Sequence, residues 1–409
     1  MSLRSSATEH HPTSIGACAA QYYYIPVTQF LLDVTRLVKR FHKGLIPTGV
    51  DRVGLAYIER YGDRARAILS EQGFCATMSD RDSQRIFSLL LSAKQDTGLL
   101  RKLVAQTLLR SLASPESERA TLLHTSHNGM EFPRYYRAMQ KRNVRTVFMV
   151  HDLIPLTHAE YCRPGVGDVH RTRIRTALRH ASGLIANSQG TLDALVDEAQ
   201  LAGLPLPPTV AAHLATAPAQ LITSASPLGK PYFVMLGTIE PRKNHWFMLH
   251  VWRRLVELHG DAAPKLVVVG RRGWECENVV DMLERCAELR GFVIEEPDCS
   301  DERLSTLLQH TRALLFPSFA EGYGLPLVEA LALNVPVLAS DIAIFHEIAG
   351  DIPDYLDPLD GPGWQARIMS YATSESPERS AQLLRIPRFR VPTWSDHFDR
   401  VDAFLATLN

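Results

Sequence analysis

Two glutamates separated by seven residues, Glu321 and Glu329, form the most chemically suggestive pair in the sequence, within FPSFAEGYGLPLVE at 316–329. An apolar run ends at Phe316. Gly322 and Gly324 then allow a tight turn, and Pro326 is tolerated in the first turn of a helix. The segment therefore reads as strand, turn, helix. The exposed N–H groups and positive end of that helix suit phosphate or sugar oxygens. Glu321 falls on the turn and Glu329 about one turn inside the helix, so both face one ligand at different depths. The plainer reading, a helix cap and a surface carboxylate, fits less well with glycines set between a buried strand and an apolar helix.

The cations to match stand in VMLGTIEPRKN, residues 234–244. Arg242 and Lys243 precede a helix beginning near Asn244, where they oppose its dipole. An anion explains them better than decoration does, and a diphosphate is the natural one. Gly237 and Thr238 lie on the same turn, and VGRRGW at 269–274 adds Gly270, Arg271 and Gly273 on the next. Neither turn completes GxGxxG, which argues against a nicotinamide dehydrogenase. In the first half, MVHDLIP places His151 and Asp152 where an apolar run closes. A histidine there donates to a phosphate or hydroxyl, acts as a base, or is simply satisfied by its turn. PTGVD at 47–51 opens another helix with Gly49 and Asp51. Asp80-Arg81-Asp82 is a D-x-D, but Thr77-Met78-Ser79 before it is not the apolar strand that a metal-binding D-x-D follows. With no HExxH and no CxxC, neither a metal nor a cofactor is expected.

The elements that must position these residues follow a rhythm of short apolar runs, each leading into a helical pattern. The runs are 30–34, 67–69, 121–123, 144–150 and 183–186, then 232–236, 265–269, 292–294, 313–316 and 335–339. Continuous Val/Ile/Leu runs suit strands buried on both faces of a parallel sheet. The class is therefore α/β, with two Rossmann-like doubly wound domains facing a central cleft. The expected layout is a disordered tail at 1–25 and a first domain at 26–205. A linker at 206–229 lies within the uncharged, Pro- and Ala-rich break, and a second domain spans 230–390. A helix at 391–409 carries Trp394, Phe398, Val401 and Phe404 on one side and packs back on the first domain.

Composition bounds the function. The chain has 409 residues, 45% hydrophobic and 22% charged, with 44 basic and 44 acidic side chains. Zero net charge argues against a nucleic-acid binder. Residues 1–205 carry 26 basic and 18 acidic residues, a net of +8, and residues 206–409 carry the converse, −8. Arg36, Lys39, Arg40 and Lys43, and then Arg171, Arg173, Arg175 and Arg179, concentrate that charge. An anionic partner is expected for the first half, either a phospholipid surface or a phosphorylated acceptor. Six scattered cysteines, an N-terminus without an apolar core and no apolar run of about 20 residues fit a cytoplasmic protein, at most peripheral on the membrane's inner face.

GTIEPRKN, GRRGW and EGYGLPLVE together resemble the family-4 retaining glycosyltransferases of the GT-B fold. LDVTRL, PTGVDRV, HDLIPL and IANSQGT resemble the acceptor half of bacterial polysaccharide enzymes in that family, so the resemblance covers about residues 28–409. It implies that Glu321 lies at the donor sugar and Glu329 binds the nucleotide ribose. Gly322, Tyr323, Gly324 and Leu325 would offer backbone N–H groups, and Lys243 would bind phosphate. His151 matches the histidine ending the acceptor-domain strand, and Gly49 the first-loop glycine. Two positions depart from the pattern: Thr238 stands where many members carry arginine, a charge that Arg242 takes over, and Asn334 stands in place of a glycine.

On this resemblance the chain transfers a hexose from a nucleoside diphosphate sugar with retention and without metal. Glu321, His151 and Lys243 are the catalytic candidates. Gly237, Thr238, Arg242, Lys243, Arg271, the 322–325 turn and Glu329 bind the donor, and Gly49, Asp51 and Asp152 bind the acceptor. The style of EPRKN and EGYGLP favours GDP-mannose, while UDP- or dTDP-sugars fit the same motifs. The acceptor is a glycan, in surface polysaccharide synthesis linked to a polyprenyl diphosphate. The reading of another class is a non-catalytic nucleotide-sugar-binding scaffold.

Overall fold

The computed structural model describes residues 29–92, 96–110, 120–216 and 225–408; the expected tail at 1–25 lies outside them. Seven strands build the first sheet: β1 (Gln29–Asp33), β2 (Ala65–Glu71), β3 (Phe74–Thr77), β4 (Ala120–His124), β5 (Val144–Val150), β6 (Gly183–Ala186) and β7 (Thr209–Ala211). Their order is β3-β2-β1-β4-β5-β6-β7, all parallel except the β2–β3 hairpin. Six more build the second: β8 (Tyr232–Leu236), β9 (Lys265–Val269), β10 (Val293–Glu296), β11 (Leu314–Phe316), β12 (Val337–Ser340) and β13 (Asp354–Leu356). That sheet runs β10-β9-β8-β11-β12-β13 and is wholly parallel. β4, β6 and β12 are buried along their whole length, as strands covered by helices on both faces must be.

In each sheet the strand order reverses beside its first strand, between β1 and β4 and between β8 and β11. Loops leaving the carboxyl ends at such a reversal diverge and leave a crevice. GTIEPRKN follows β8 and the Glu321 turn follows β11, so two segments nearly eighty residues apart meet at one reversal.

Three strands escape the apolar-run reading. β3 pairs through a two-residue turn in which Gln72 and Gly73 have φ of 46° and 83°, the left-handed pair that closes a tight hairpin. β7 lies inside the supposed linker. Its pairing with β6 and the burial of Ala212 and Leu214 carry the first domain past residue 205. β13 is a half-buried edge strand. Asn334 sits at φ 58°, so the asparagine adopts the left-handed turn that glycine usually serves.

The helix Trp394–Thr407 lies against the first domain. Phe398 packs edge-on against Tyr57 and Tyr61, the Tyr61 hydroxyl donates to Asp402 at 2.7 Å, and Tyr57 meets His397 at 3.1 Å. Gly183 leaves room for the helix: a Cβ there would stand 2.7 Å from Phe404.

Candidate functional site

A cleft cavity of about 460 Å³ runs between the carboxyl ends of the two sheets. Glu321 sits in it on the turn after β11, with its carboxylate almost wholly buried. Oε1 lies 2.5 Å from Lys243 Nζ and Oε2 lies 2.8 Å from Arg242 Nη1. Burial pushes the Glu321 carboxyl up, but the adjacent guanidinium and ammonium outweigh it and hold it at about 2. Lys243 is pulled down by its own burial, against the pull of Glu321. Arg242 is raised; Glu321 and Glu240 outweigh its burial.

The loops are cross-tied. Arg242 Nη1 donates to the Ala320 carbonyl at 3.1 Å, and Phe319 N donates to the Arg242 carbonyl at 2.9 Å. A compact Arg–Lys–Glu cluster is thus fixed where β8 and β11 end. Glu240, from the same EPRKN motif, is buried beside Arg242 Nε and was not picked out by the sequence reading.

Backbone approaches this cluster closely. Gly270 has φ 146°, and a Cβ there would lie 2.0 Å from the Gly237 carbonyl oxygen; one on Gly273 would lie 2.7 Å from that of Ile239. Only glycine permits β8 and β9 to end side by side in this way. Thr238 is exposed at the cleft edge, and Arg271 pairs with Asp298 at 3.0 Å on its rim. The helix Leu325–Ala332 points its N-terminus into the cavity, and among the described residues nothing accepts from the amides of Tyr323, Gly324 or Leu325. The Tyr323 side chain turns away, its hydroxyl donating to the Leu214 carbonyl at 2.7 Å. Glu329 lies one turn into the helix and pairs with Arg52 at 2.6 Å across the cleft. Burial raises the Glu329 carboxyl, with Arg52 opposing.

The first domain supplies the facing wall. His151, at the end of β5, is buried and its Nε2 lies 2.8 Å from the Thr125 carbonyl. An acceptor at that distance fixes the proton on Nε2 and leaves the Nδ1 lone pair available. Burial lowers its pKa, with the Thr125 contact opposing, so the imidazole is neutral at pH 7. His127 Nε2 accepts from the His151 amide at 3.0 Å. Gly322 is wedged against this wall: a Cβ there would lie 2.3 Å from the His151 carbonyl oxygen and 2.8 Å from Asp152 Cβ. Ser188 and Thr191, in the IANSQGT segment, both donate to the Gly322 carbonyl, at 3.0 and 3.3 Å. Gly49 opens its helix on the cavity, under Leu325.

Asp51 does not reach the cleft. Its carboxylate is buried, caps the helix through Thr48, and pairs with Arg36 at 2.8 Å and Arg40 at 2.7 Å. The D-x-D is also structural: Ser79 caps the helix Asp80–Leu91 and bonds Asp82, which is buried. The basic runs are largely neutralised within the first domain. Lys39 pairs with Glu71, and Arg171, Arg173 and Arg175 pair with Asp168, Glu131 and Glu198. No helix among the described residues is long and apolar enough to cross a membrane.

Residues 219–352, which span the cluster, match the family Glycosyl transferases group 1. That match lies mostly in the second domain. Over 242 residues, 55% of this chain and 29% of the relative, the chain is 31% identical to the serotype-specific mannosyltransferase WbdA of Escherichia coli. It is 33% identical over 140 residues to the O-antigen chain mannosyltransferase RfbU of Salmonella typhimurium, 34% of this chain and 37% of the relative. The matches thus span well under half of these relatives. The crystal structure of Anabaena HepE with UDP and glucose superposes over 93% of this chain and all of its own, with a TM-score of 0.65 at 17% identity. TarM superposes over 74% of this chain and 57% of its own, with a TM-score of 0.55 at 14% identity. The fold is GT-B.

Proposed function

We propose that the protein is a retaining hexosyltransferase that moves mannose from GDP-mannose to a glycan acceptor, lipid-linked, in O-antigen or related surface polysaccharide synthesis. The observation that carries this reading is the buried Glu321 carboxylate, fixed between Lys243 and Arg242 and facing His151 across a closed cleft. The names of the aligned relatives favour mannose over the UDP- and dTDP-sugars that the motifs also accommodate.

In this reading the donor diphosphate lies on Lys243, Arg242 and the free amides of 323–325. Their positive charge meets the charge that develops as the glycosidic bond breaks. Two fixed cations and a helix N-terminus supply the role a metal would play, so the reaction is proposed to run without one. Glu329 turns from Arg52 to the ribose hydroxyls. Glu321, ionised at all working pH, faces the anomeric carbon and stabilises its positive charge. The acceptor hydroxyl approaches from the His151 and Asp152 side and gives its proton to the leaving phosphate on the same face, which preserves the anomeric configuration. Closure excludes water that would hydrolyse the donor.

The test is nucleotide release and product formation with GDP-mannose, UDP-glucose and UDP-galactose, each with mannose-terminated glycosides, with and without EDTA. We expect mannose transfer with an α-linked product by NMR and no effect of EDTA. Transfer from a UDP-sugar instead would replace the donor assignment. No acceptor-dependent nucleotide release with any pair would overturn the enzyme reading.

A further inference from the structure

A second cavity, of about 390 Å³, has Arg242 on its wall as the larger cleft does. Its walls come from both domains: Asp152, Pro155, Arg163 and Val166 from the first, Glu240, Arg242 and Trp274 from the second. We infer that this cavity is the subsite for a neutral sugar ring of the acceptor, with Trp274 and Arg163 as its specificity-determining residues. The inference rests on the transfer reading above and adds the place and chemistry of the acceptor.

Three observations carry it. Asp152 and Arg242 line both cavities, so a ring seated here sets a hydroxyl at the boundary with the donor site. The charges around the space balance, two carboxylates (Asp152, Glu240) against two guanidiniums (Arg163, Arg242), and Arg242 is already engaged by Glu240 and Glu321. A balanced, hydroxyl-bonding rim beside the apolar Pro155, Val166 and indole walls suits an uncharged polyol ring better than a phosphate. Finally, the partly buried Trp274 side chain makes no hydrogen bond among the described residues. Its indole N–H is buried with no acceptor among the described residues, and its ring contact is with Arg163 of the opposite domain, whose guanidinium lies 5.5 Å from the ring centre. A buried donor left unpaired is costly, and a turn of the indole toward a sugar hydroxyl in the cavity would relieve it. The subsite exists only when the domains are closed, because Arg163 and Trp274 stand on opposite sides of the cleft.

The experiment uses full-length protein labelled with 5-fluorotryptophan and saturated with GDP. The five tryptophans give separate 19F resonances, and Trp274 is assigned as the one missing from W274F. Titration with methyl α-mannoside, methyl α-glucoside, methyl α-galactoside or methyl N-acetylglucosaminide is expected to move the Trp274 resonance saturably for one of them, and R163A to abolish that shift. In the transfer assay, W274A should raise the acceptor KM about tenfold, the size of a lost aromatic contact, with the donor KM unchanged. The proposal is overturned if no glycoside moves the Trp274 resonance, or if glycerol moves it equally. It also falls if W274A changes the donor KM instead. Glycoside binding is read without turnover, so a protein that binds the ring but transfers nothing would count against the transfer reading and leave the subsite standing.

Discussion

Lys243 and Glu321 define the chemistry at the scale of single side chains. Each is buried, so each needs the other: a lone buried ammonium or carboxylate is costly, and their 2.5 Å contact compensates both. Removing Lys243 therefore has two effects, loss of a phosphate partner and a Glu321 left with Arg242 alone. Lys243→Met is expected to cut kcat by about a hundredfold, as loss of one transition-state charge partner does. Glu321→Gln should do at least as much while nucleotide still raises the melting temperature, and full activity in either variant would remove the cluster from catalysis. The pH behaviour follows from the same residues. Glu321 at about 2 stays ionised through the working range and sets no acid limb. His151, His127 and His170 are all lowered from 6.5 by burial. Below 6.5 the unfolded chain binds protons that the folded one resists, so stability is full above 6.5 and declines as pH falls through the lower folded values. Melting temperature measured against pH should be flat above 6.5 and fall below it. A decline that starts on the alkaline side would contradict the burial of these rings.

Among the elements, the strand-ending turns do the positioning, and Gly322 is wedged against the backbone of the opposite domain. A methyl there meets the His151 backbone of the other domain at 2.3 Å, with no flexible side chain to yield. Gly322→Ala should hold the domains apart and cost most of the transfer rate while each domain stays folded. Gly49→Ala is the internal control: its methyl would meet only the end of the Leu325 side chain, at 2.9 Å, and should cost far less. Equal losses would show that closeness to backbone is not what matters. Much of this level was legible in the sequence. The apolar runs located ten strands, and the glycine-bearing turns located the residues that the structure gathers around Glu321. What was not legible depends on pairing. β7 has no apolar run of its own and is a strand because β6 offers it an edge. Asp51 reads like a cleft residue from PTGVD, yet two arginines one helix earlier claim its carboxylate. Arg52, its neighbour within PTGVDRV, has no role assigned from the sequence and reaches Glu329 from 277 residues away.

For the molecule as a whole, the consequential feature is closure, and one of its latches lies away from the chemistry. Glu347, in the helix Ala343–Ala349 of the second domain, accepts from the amides of Gln189 and Gly190 at 2.7 and 2.9 Å. Those amides open the helix Gln189–Ala202 of the first domain, so a carboxylate of one domain sits on the positive helix end of the other. His213, just beyond β7 where the chain leaves the first domain, adds a contact to the same carboxylate at 2.9 Å. Burial raises the Glu347 carboxyl, but these partners outweigh it and hold it below the usual range, so the latch stays charged at neutral pH. Hydrogen bonds to a charged group contribute about 2 kcal/mol each, enough to shift an open–closed balance more than tenfold. Glu347→Ala should therefore leave the donor-contacting residues untouched yet raise the donor KM, because binding must now drive closure alone. Small-angle scattering of the ligand-free variant should give a larger radius of gyration than wild type, and saturating nucleotide should bring the two together. A variant as compact as wild type without ligand, with unchanged donor KM, would mean that the packing around Gly322 and Tyr323 closes the molecule without this latch.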